Sequence, residues 1–506
     1  MNSDSFLGLF AVSQLLFSFL VLIFREKARY FTLIHALSLL VFSITWSTGA
    51  WGRQEMHTIL GGWEAFRGIS LYFDVLSLRF LFAASAVFTA VAFFSFVKIR
   101  EWRFFFLMDL CLSSLVCVFL VNDLFNGYVT LELLSLVSYL LISLEGRRRQ
   151  VWASLKYMII GAVAFNLYLI GAALIYHSTG YLNLDLIAAS SGYSQLGLVL
   201  IVIALLVKSG AFLMSMWLPS AHSEAISPVS TLLSGILVKA GIFLIFRIMG
   251  KLDAPMIVEF ITQLGLWSSL AGVLFAMVQQ DIKLILAFHT MSQMGYALAG
   301  IRGEGSLYAM NHALFKAILF MAADRLYVVF KTRNVYKIRE KEGLVPITTF
   351  LALLVGYLSI AGLPFLDGFS PKFHVIEEQN LFGKIILILS AIGTVASIGK
   401  IIIPVFPKVA KKLRDSWEQT IGFFILGFGC LSIGIAETIE IDHKTEAVTE
   451  SLAIFFAGLI VLKWIVPKIH PFFPKRLFEL RTALMLLLII TTCVGAAFLL
   501  EGRGQL

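Results

Sequence analysis

The sequence predicts an all-α, polytopic membrane protein. Hydrophobic residues make up 59% of its 506 residues and charged residues only 14%, and the mean hydropathy is +0.89. Runs of about 20 apolar residues, the length a helix needs to cross a bilayer, recur along the whole chain. Soluble domains carry roughly 25% charged residues, so a soluble globular fold is excluded. A net charge of +9 would point to nucleic acid in a soluble chain. Here the basic residues gather between apolar runs, where orientation rules put them, and the expected partner is the lipid bilayer, not a nucleic acid.

Counted in order, the chain holds about 16 spans, centred near residues 15, 40, 86, 112, 133, 165, 206, 238, 267, 292, 318, 360, 395, 427, 459 and 491. No small-residue cleavage site follows the first apolar run, Phe6 to Phe24, which therefore reads as a retained span and not a signal peptide. With the N-terminus outside, the inner loops carry Arg25/Lys27/Arg29, Lys98/Arg100/Arg103, Arg147/Arg148/Arg149, Lys331/Arg333/Lys337/Arg339/Lys341, Lys408/Lys411/Lys412/Arg414 and Lys463/Lys468/Lys475/Arg476/Arg481. The outer loop at 437–450 is acidic (Glu437, Glu440, Asp442, Glu446, Glu450). Arg247 and Lys251 are the main exceptions to a positive-inside pattern that puts both termini outside. Cys111, Cys117, Cys430 and Cys493 lie in apolar stretches without C-x-x-C spacing and read as buried, inert thiols.

Two spans are interrupted by helix breakers. The seventh carries Lys208-Ser209-Gly210 and then Trp217-Leu218-Pro219; the twelfth carries Gly362-Leu363-Pro364 and Gly368-Phe369-Ser370-Pro371-Lys372. Freed backbone groups are tolerable at membrane depth only beside protein or cavity water, and paired broken helices in two halves point to an inverted-repeat transporter. Each break is followed by a further lysine at a similar gap, Lys208 to Lys239 and Lys372 to Lys400. The expected division is a three-helix segment over 1–100, a first five-helix repeat over 101–252, a second over 253–412, and a three-helix segment over 413–506.

Ionisable residues inside these spans are costly, at least about 2.5–3.5 kcal/mol each near the bilayer centre, and normally pair or line a wet path. Glu132, Lys208, Lys239, Lys316 and Lys372 are such residues. Glu132 could simply hydrogen-bond Ser135 on its own helix face; its depth favours a pair with Lys208. A paired lysine stays charged, and withdrawing the glutamate would let desolvation drive its proton onward. His312 stands one turn before Lys316 on the same side of a helix, a relay more than a metal site, since zinc needs more ligands. His289 and Lys400 are weaker candidates, balanced between path and packing. Tyr139, Ser135 and Asn166 could hold path water, and His222 and Glu224 fall on the loop before the eighth span. His35 and His374 carry no signal. No phosphate-binding loop, dinucleotide fingerprint or iron–sulfur cysteine cluster is present, so no cofactor and no catalytic chemistry are expected in this chain.

The stretch Trp217-Leu218-Pro219-Ser220-Ala221-His222-Ser223-Glu224-Ala225 with Pro228-Val229-Ser230 resembles the signature of antiporter-like membrane subunits. These occur in respiratory complex I, energy-converting hydrogenases and Mrp-type cation/proton antiporters. Asp281-Ile282-Lys283, Ser292-Gln293-Met294-Gly295-Tyr296, His312-Ala313-Leu314-Phe315-Lys316-Ala317 and Gly362-Leu363-Pro364 with Gly368-Phe369 extend the likeness over about residues 70–410 in the family's order. Gly61-Gly62-Trp63, Asp74 and His289-Thr290-Met291-Ser292-Gln293 look closest to the D-type member of Mrp antiporters.

The resemblance implies inverted-repeat helix bundles with discontinuous seventh and twelfth helices, and a lateral hydrated axis through Glu132, Lys208, Lys239, Lys316 and Lys372. It implies a proton-conducting subunit of a cation (Na+)/proton antiporter in the cell's inner (plasma) membrane, with other membrane subunits as partners and protons and Na+ as ions. The alternative is a proton-pumping subunit of a complex I-like quinone oxidoreductase. Three departures stand out. Ser215 occupies a position where the family often has His, Ala322-Ala323-Asp324-Arg325 replaces a glycine turn, and two spans follow position 450 beyond the fourteen-helix core.

Overall fold

The computed structural model describes residues 3–49, 55–410, 412–441, 444–469 and 479–502. Lys411, Asp442, Lys475 and Arg476, four of the loop charges named above, lie outside the described residues. The chain runs through α1 (Ser3–Ile23), α2 (Ala28–Ser47), β1 (Met56–Ile59), β2 (Ser70–Phe73), α3 (Val75–Ser95), α4 (Trp102–Phe119), α5 (Leu124–Ile142), α6 (Arg148–Thr179) and α7 (Leu184–Ala189). It continues with α8 (Gln195–Ser209), α9 (Leu218–Glu224), α10 (Ser227–Leu232), α11 (Lys239–Met249), α12 (Pro255–Val278), α13 (Ile282–Ala299), α14 (Gly305–Phe330) and α15 (Val335–Glu340). It ends with β3 (Val345–Pro346), α16 (Ile347–Ala361), α17 (Phe369–Glu377), α18 (Leu381–Ile402), β4 (Val409–Ala410), α19 (Trp417–Glu440), α20 (Lys444–Trp464) and α21 (Leu480–Gly502). The strands form one antiparallel hairpin, β1 with β2, and one short parallel pair, β3 with β4.

Among the described residues, eleven helical stretches are long and apolar enough to cross a membrane, with shorter apolar helices at Gln195–Ser209, Ile347–Ala361 and Leu480–Ala496. Helices α13 and α14 are not among the eleven although they hold 18 and 26 residues, and both are buried almost end to end. They carry Lys283, His289, Gln293, Asn311, His312 and Lys316 on those buried faces. Polar side chains at membrane depth must face protein or water, so these two helices form the middle of the bundle. Helix α12 seals against α13 through Gly265, Gly272 and Gly295. A Cβ on any of them would meet facing backbone at 2.4–2.5 Å, the close approach that small residues allow between membrane helices.

The two expected breaks are present and share one backbone form. Helices α8 and α16 are each 15 residues long and end on a left-handed glycine, Gly210 at φ 72° and Gly362 at φ 79°. The next amide bonds back to the carbonyl five residues earlier, Ala211 to Leu206 and Leu363 to Leu358, a Schellman ending. Three residues on, Leu213 and Phe365 sit at φ 65° and 66°, a conformation that costs a non-glycine residue about 1–2 kcal/mol. Upstream features match too. Asp123 caps α5 and bridges to Asn183, the cap of α7; Asp281 caps α13 and bridges to Asn334, the cap of α15. The lysine spacing is not part of this correspondence. Lys208 stands two positions before Gly210, whereas Lys372 stands ten after Gly362, so the two gaps compared in the sequence join unlike positions. A third interruption had no signal: a π-turn at Leu233–Leu237 joins α10 to α11.

Several loop readings change. Glu437 and Glu440 close α19, and Glu446 and Glu450 belong to α20, so the acidic residues extend two helices and do not form a loop. Of the cysteines, Cys111 and Cys430 are buried, Cys117 is partly exposed and Cys493 is exposed. The two exceptions to the charge pattern are neutralised. Arg247 is buried and forks onto Asp74 at 2.7 and 3.0 Å and onto Ser77 at 2.7 Å. Lys251 pairs with Asp185. Burial raises the Asp185 pKa, but hydrogen bonds from Lys251 and Asn122 outweigh it and hold the carboxyl below its ordinary value. That stabilisation is complete above about pH 3.9 and fades as pH falls through the lowered folded value.

Arg247→Ala leaves Asp74 without its buried partner. The expected loss is about 3–5 kcal/mol of stability, read as a fall in the thermal unfolding midpoint of the detergent-solubilised chain. An unchanged midpoint contradicts the pairing.

Candidate functional site

The first part of the site forms where α5, α6 and α8 meet. Lys208, in the last turn of α8, is buried and donates to Ser135 Oγ and Tyr157 OH, both at 2.7 Å. The Tyr157 ring is stacked on Trp217 at 3.8 Å and 9°, and Trp217 Nε1 donates to the Val207 carbonyl at 2.9 Å. The tryptophan after the break thus holds the tyrosine that holds the lysine. Tyr139 joins this wall, edge-on to Tyr157, and with Ser135 and Lys208 lines a small cleft. Glu132 is half-buried on α5, within electrostatic reach of Lys208, yet its Oε2 has no hydrogen-bond partner. The expected Glu132–Lys208 contact is not closed: the ammonium goes to the two hydroxyls. Ser135 donates to Leu131 O on its own helix, so the Glu132–Ser135 bond is absent as well.

The second part lies between α9, the π-turn, α13 and α14. The π-turn frees the Ser234 carbonyl, and Lys239 Nζ donates to it; Ser234 Oγ in turn meets Thr290 Oγ1 at 2.7 Å. His312 and Lys316 are fully buried on α14. Both ring nitrogens of His312 and the Nζ of Lys316 lack hydrogen-bond partners, as do both ring nitrogens of His222. His222 is stacked on Phe320 and sits on α9, wholly buried, not on a loop; α9 is the returning half of the broken seventh helix. His289 donates to or accepts from Ser397 Oγ at 2.7 Å and leaves Nδ1 unpartnered. Lys316 is an electrostatic neighbour of Lys239, His222, His289 and His312. Five histidine nitrogens and Lys316 Nζ, all buried and without a hydrogen-bond partner, therefore share one electrostatic neighbourhood centred on Lys316. Buried polar atoms normally find a partner, and where protein supplies none the partner is water.

The third part surrounds the twelfth-span break. Lys372, on α17, donates to Ile360 O at 3.0 Å, closing the end of α16, and lies 5.1 Å from the Tyr296 ring. Lys400 donates to Ala276, Met277 and Gln279 carbonyls at 3.1, 2.7 and 2.8 Å. It is fully occupied in capping α12. Asn166 bonds Ala162 O of its own helix and is exposed on the side of the bundle, away from the lysines.

Sequence reasoning missed Tyr157, Asp367 and Glu437. Tyr157 had no charge to betray it, and the acids lay at a break and a helix end. It also passed over His35, which bonds Asp109 at 3.0 Å and Gln14 at 2.8 Å in a buried cluster of α1, α2 and α4. Both its ring nitrogens are satisfied there, which reads as architecture. Among the described residues no three His, Cys, Asp or Glu side chains converge as metal ligands.

Comparison with known proteins follows this geometry. The model of a family described as NADH:quinone oxidoreductase/Mrp antiporter, transmembrane, matches residues 121–398. The chain is 31% identical over 418 residues to the D-type component of a Na(+)/H(+) antiporter of Alkalihalophilus pseudofirmus, covering 77% of this chain and 83% of the relative. It is 30% identical over 348 residues to the N-type component of an NADH-quinone oxidoreductase of Desulforudis audaxviator, covering 63% and 68%. A component of the Mrp complex from Dietzia sp. DQ12-45-1b superposes with a TM-score of 0.72 at 22% identity, over 96% of this chain and all of that one. A component of an archaeal membrane-bound sulfane sulfur reductase gives 0.79 at 22% identity, over 90% and 99%. At that identity the structural likeness establishes the fold alone.

Tyr157→Phe removes one of the two hydroxyls that hold Lys208. A hydrogen bond to a charged group contributes about 1.5–3 kcal/mol, so the unfolding midpoint should fall correspondingly. Equal midpoints for wild type and Tyr157→Phe contradict the assigned bond.

Proposed function

The chain belongs to the NADH:quinone oxidoreductase/Mrp antiporter transmembrane family, and from that premise we propose that it is the proton-conducting membrane subunit of a Mrp-type Na+/proton antiporter. It works inside a multi-subunit complex in the plasma membrane, driven by an ion gradient. The observation that carries this reading is the group of partnerless buried nitrogens on His222, His312, His289 and Lys316. Such a group is costly in a dry protein and useful only where water and protons pass. The relatives named as D-type components of Na(+)/H(+) antiporters support the antiporter over other proton machines.

In this reading protons move along Lys208, Lys239, His312, Lys316, His289 and Lys372, with Lys400 beside them as a cap at the α12 end. Glu132 acts as the switch. Close to Lys208 it holds the ammonium charged; drawn away, it leaves the lysine with two neutral hydroxyls and a desolvation penalty that favours proton release. We further propose about 16 spans, built as two inverted five-helix units over 101–252 and 253–412. A three-helix segment precedes them over 1–100 and another follows over 413–506. The matched endings of α8 and α16 and the matched Asp–Asn bridges support the repeat.

A second reading, a proton pump driven by quinone reduction in partner chains, draws on the relative named as an NADH-quinone oxidoreductase component. Vesicles carrying the full complex separate the two. Na+-dependent pH change without an electron donor is the expected result, and donor-dependent pumping without that signal contradicts the antiporter.

In the same vesicles Glu132→Ala, Lys208→Ala or Lys316→Ala should abolish proton-coupled transport while the complex still assembles. Wild-type proton flux in Lys316→Ala defeats the relay.

A further inference from the structure

Asp367 lies in the irregular segment between α16 and α17 and is 0% exposed. Neither carboxyl oxygen has a hydrogen-bond partner. The Ser359 hydroxyl, the Cys430 thiol and the backbone amides of Asp367 and Gly368 lie around it, and none completes a hydrogen bond of good geometry to it. The segment itself is held rigidly. The Asp367 amide donates to Cys430 O at 3.0 Å, and Asn311 Nδ2 donates to the Asp367 carbonyl at 2.7 Å. Gly434 of α19 lies so close to Leu366 and Asp367 that a Cβ there would fall 2.2 Å from backbone. The carboxyl is therefore fixed in place, sealed from solvent, and without a well-formed hydrogen bond from the protein around it.

The same Asn311 amide reaches Glu437 Oε1 at 2.8 Å and Oε2 at 3.1 Å, so one side chain ties the two acids together. The Asn311 oxygen is itself buried and unpartnered. Glu437 is partly exposed, and its electrostatic neighbours beyond Asp367 are Glu304 and Arg79. Glu304 stands just before α14, with one buried oxygen also unpartnered. Polar groups therefore step outward from Asp367 through Asn311 to Glu437 and Glu304, at the end of the bundle where α14 begins and α19 ends. Lys372, the last lysine of the axis, is five residues past Asp367 and caps the same break at Ile360. A structural carboxylate would be expected to accept hydrogen bonds, as Asp109, Asp74 and Asp415 do in this chain. An ionised carboxylate buried without any would be prohibitive; a carboxyl that gains and loses a proton in concert with water is not.

We propose that Asp367 and Glu437, bridged by Asn311, are a proton-exchange site at which the path opens to the aqueous phase on that face. A proton arriving from the lysine side forms the Asp367 O–H bond. As that bond breaks, the Glu437 carboxylate takes the proton and releases it to solvent, leaving Asp367 ready for the next. This rests on the proton-conduction reading above, which uses neither acid.

The test is proton-coupled transport by vesicles containing the assembled complex, with Lys316→Ala as the control for the path as a whole. Asp367→Asn, nearly isosteric, should lower transport at least tenfold with normal assembly, Asp367→Glu should restore part of it, and Glu437→Gln should lower it severalfold. Infrared difference spectra should show a carboxylic C=O band in the wild type that Asp367→Asn removes, a readout a purely structural role would not move. Wild-type transport in Asp367→Asn with Lys316→Ala inactive overturns the exchange site and leaves the path standing. Wild-type transport in both overturns the exchange site together with the path. If Asp367→Asn fails to assemble, Glu437→Gln decides, and wild-type transport there overturns the proposal. Loss of transport that saturating Na+ restores in Asp367→Asn also overturns it, since that marks a cation ligand.

Discussion

Keeping ionisable nitrogens inside a hydrocarbon-thick bundle, with almost no carboxylates to answer them, is the constraint on which this structure turns. Lys208, Lys239, Lys283, Lys316, Lys372 and Lys400 are all buried, and among the described residues no ion pair is formed by any of them. A buried charge without a counter-ion costs several kcal/mol. The fold answers mostly with backbone carbonyls. Lys372 takes Ile360 O at the end of α16, Lys400 takes three carbonyls at the end of α12, Lys283 takes Ala225 O after α9, and Lys239 takes Ser234 O at the π-turn. Helix C-termini carry partial negative charge and unsatisfied carbonyls, so each break or terminus replaces a carboxylate without adding one.

This explains why helices are interrupted where they are. An unbroken helix offers no free carbonyl at mid-depth, and a lysine there would be left bare. Gly362 ends α16 in the left-handed region and leaves Ile360 O to Lys372, and the π-turn does the same work for Lys239. Lys208 turns instead to the Ser135 and Tyr157 hydroxyls, and Lys316 finds neither. It sits mid-helix on α14, far from any terminus, with only the Phe320 ring 6.0 Å away. Its neighbours are histidines in the same condition. The contrast with His35, whose every ring nitrogen is bonded, separates a polar core that is finished from one that is left open.

Much of this was legible in the sequence. Charge cost alone singled out Glu132, Lys208, Lys239, Lys316 and Lys372, and Gly-Pro spacing located both breaks. What failed was reasoning about partners. A glutamate in the fifth span and a lysine in the seventh read as a pair, but Lys208 found neutral hydroxyls on Ser135 and Tyr157, and Tyr157 gave no signal in an apolar run. Lys400 read as a possible path member because a sequence cannot show three carbonyls converging from α12. The π-turn has no composition mark, and Asp367 was hidden by the Gly and Pro residues around it, which drew attention to backbone geometry instead.

In the proposed path water, and not protein, answers the open nitrogens. A high-resolution map of the assembled complex in lipid tests it most directly. Ordered waters should lie within hydrogen-bonding distance of Lys316 Nζ, both ring nitrogens of His312 and those of His222, joined to one another. Density showing these atoms packed dry against apolar side chains, with no water between them, would contradict it.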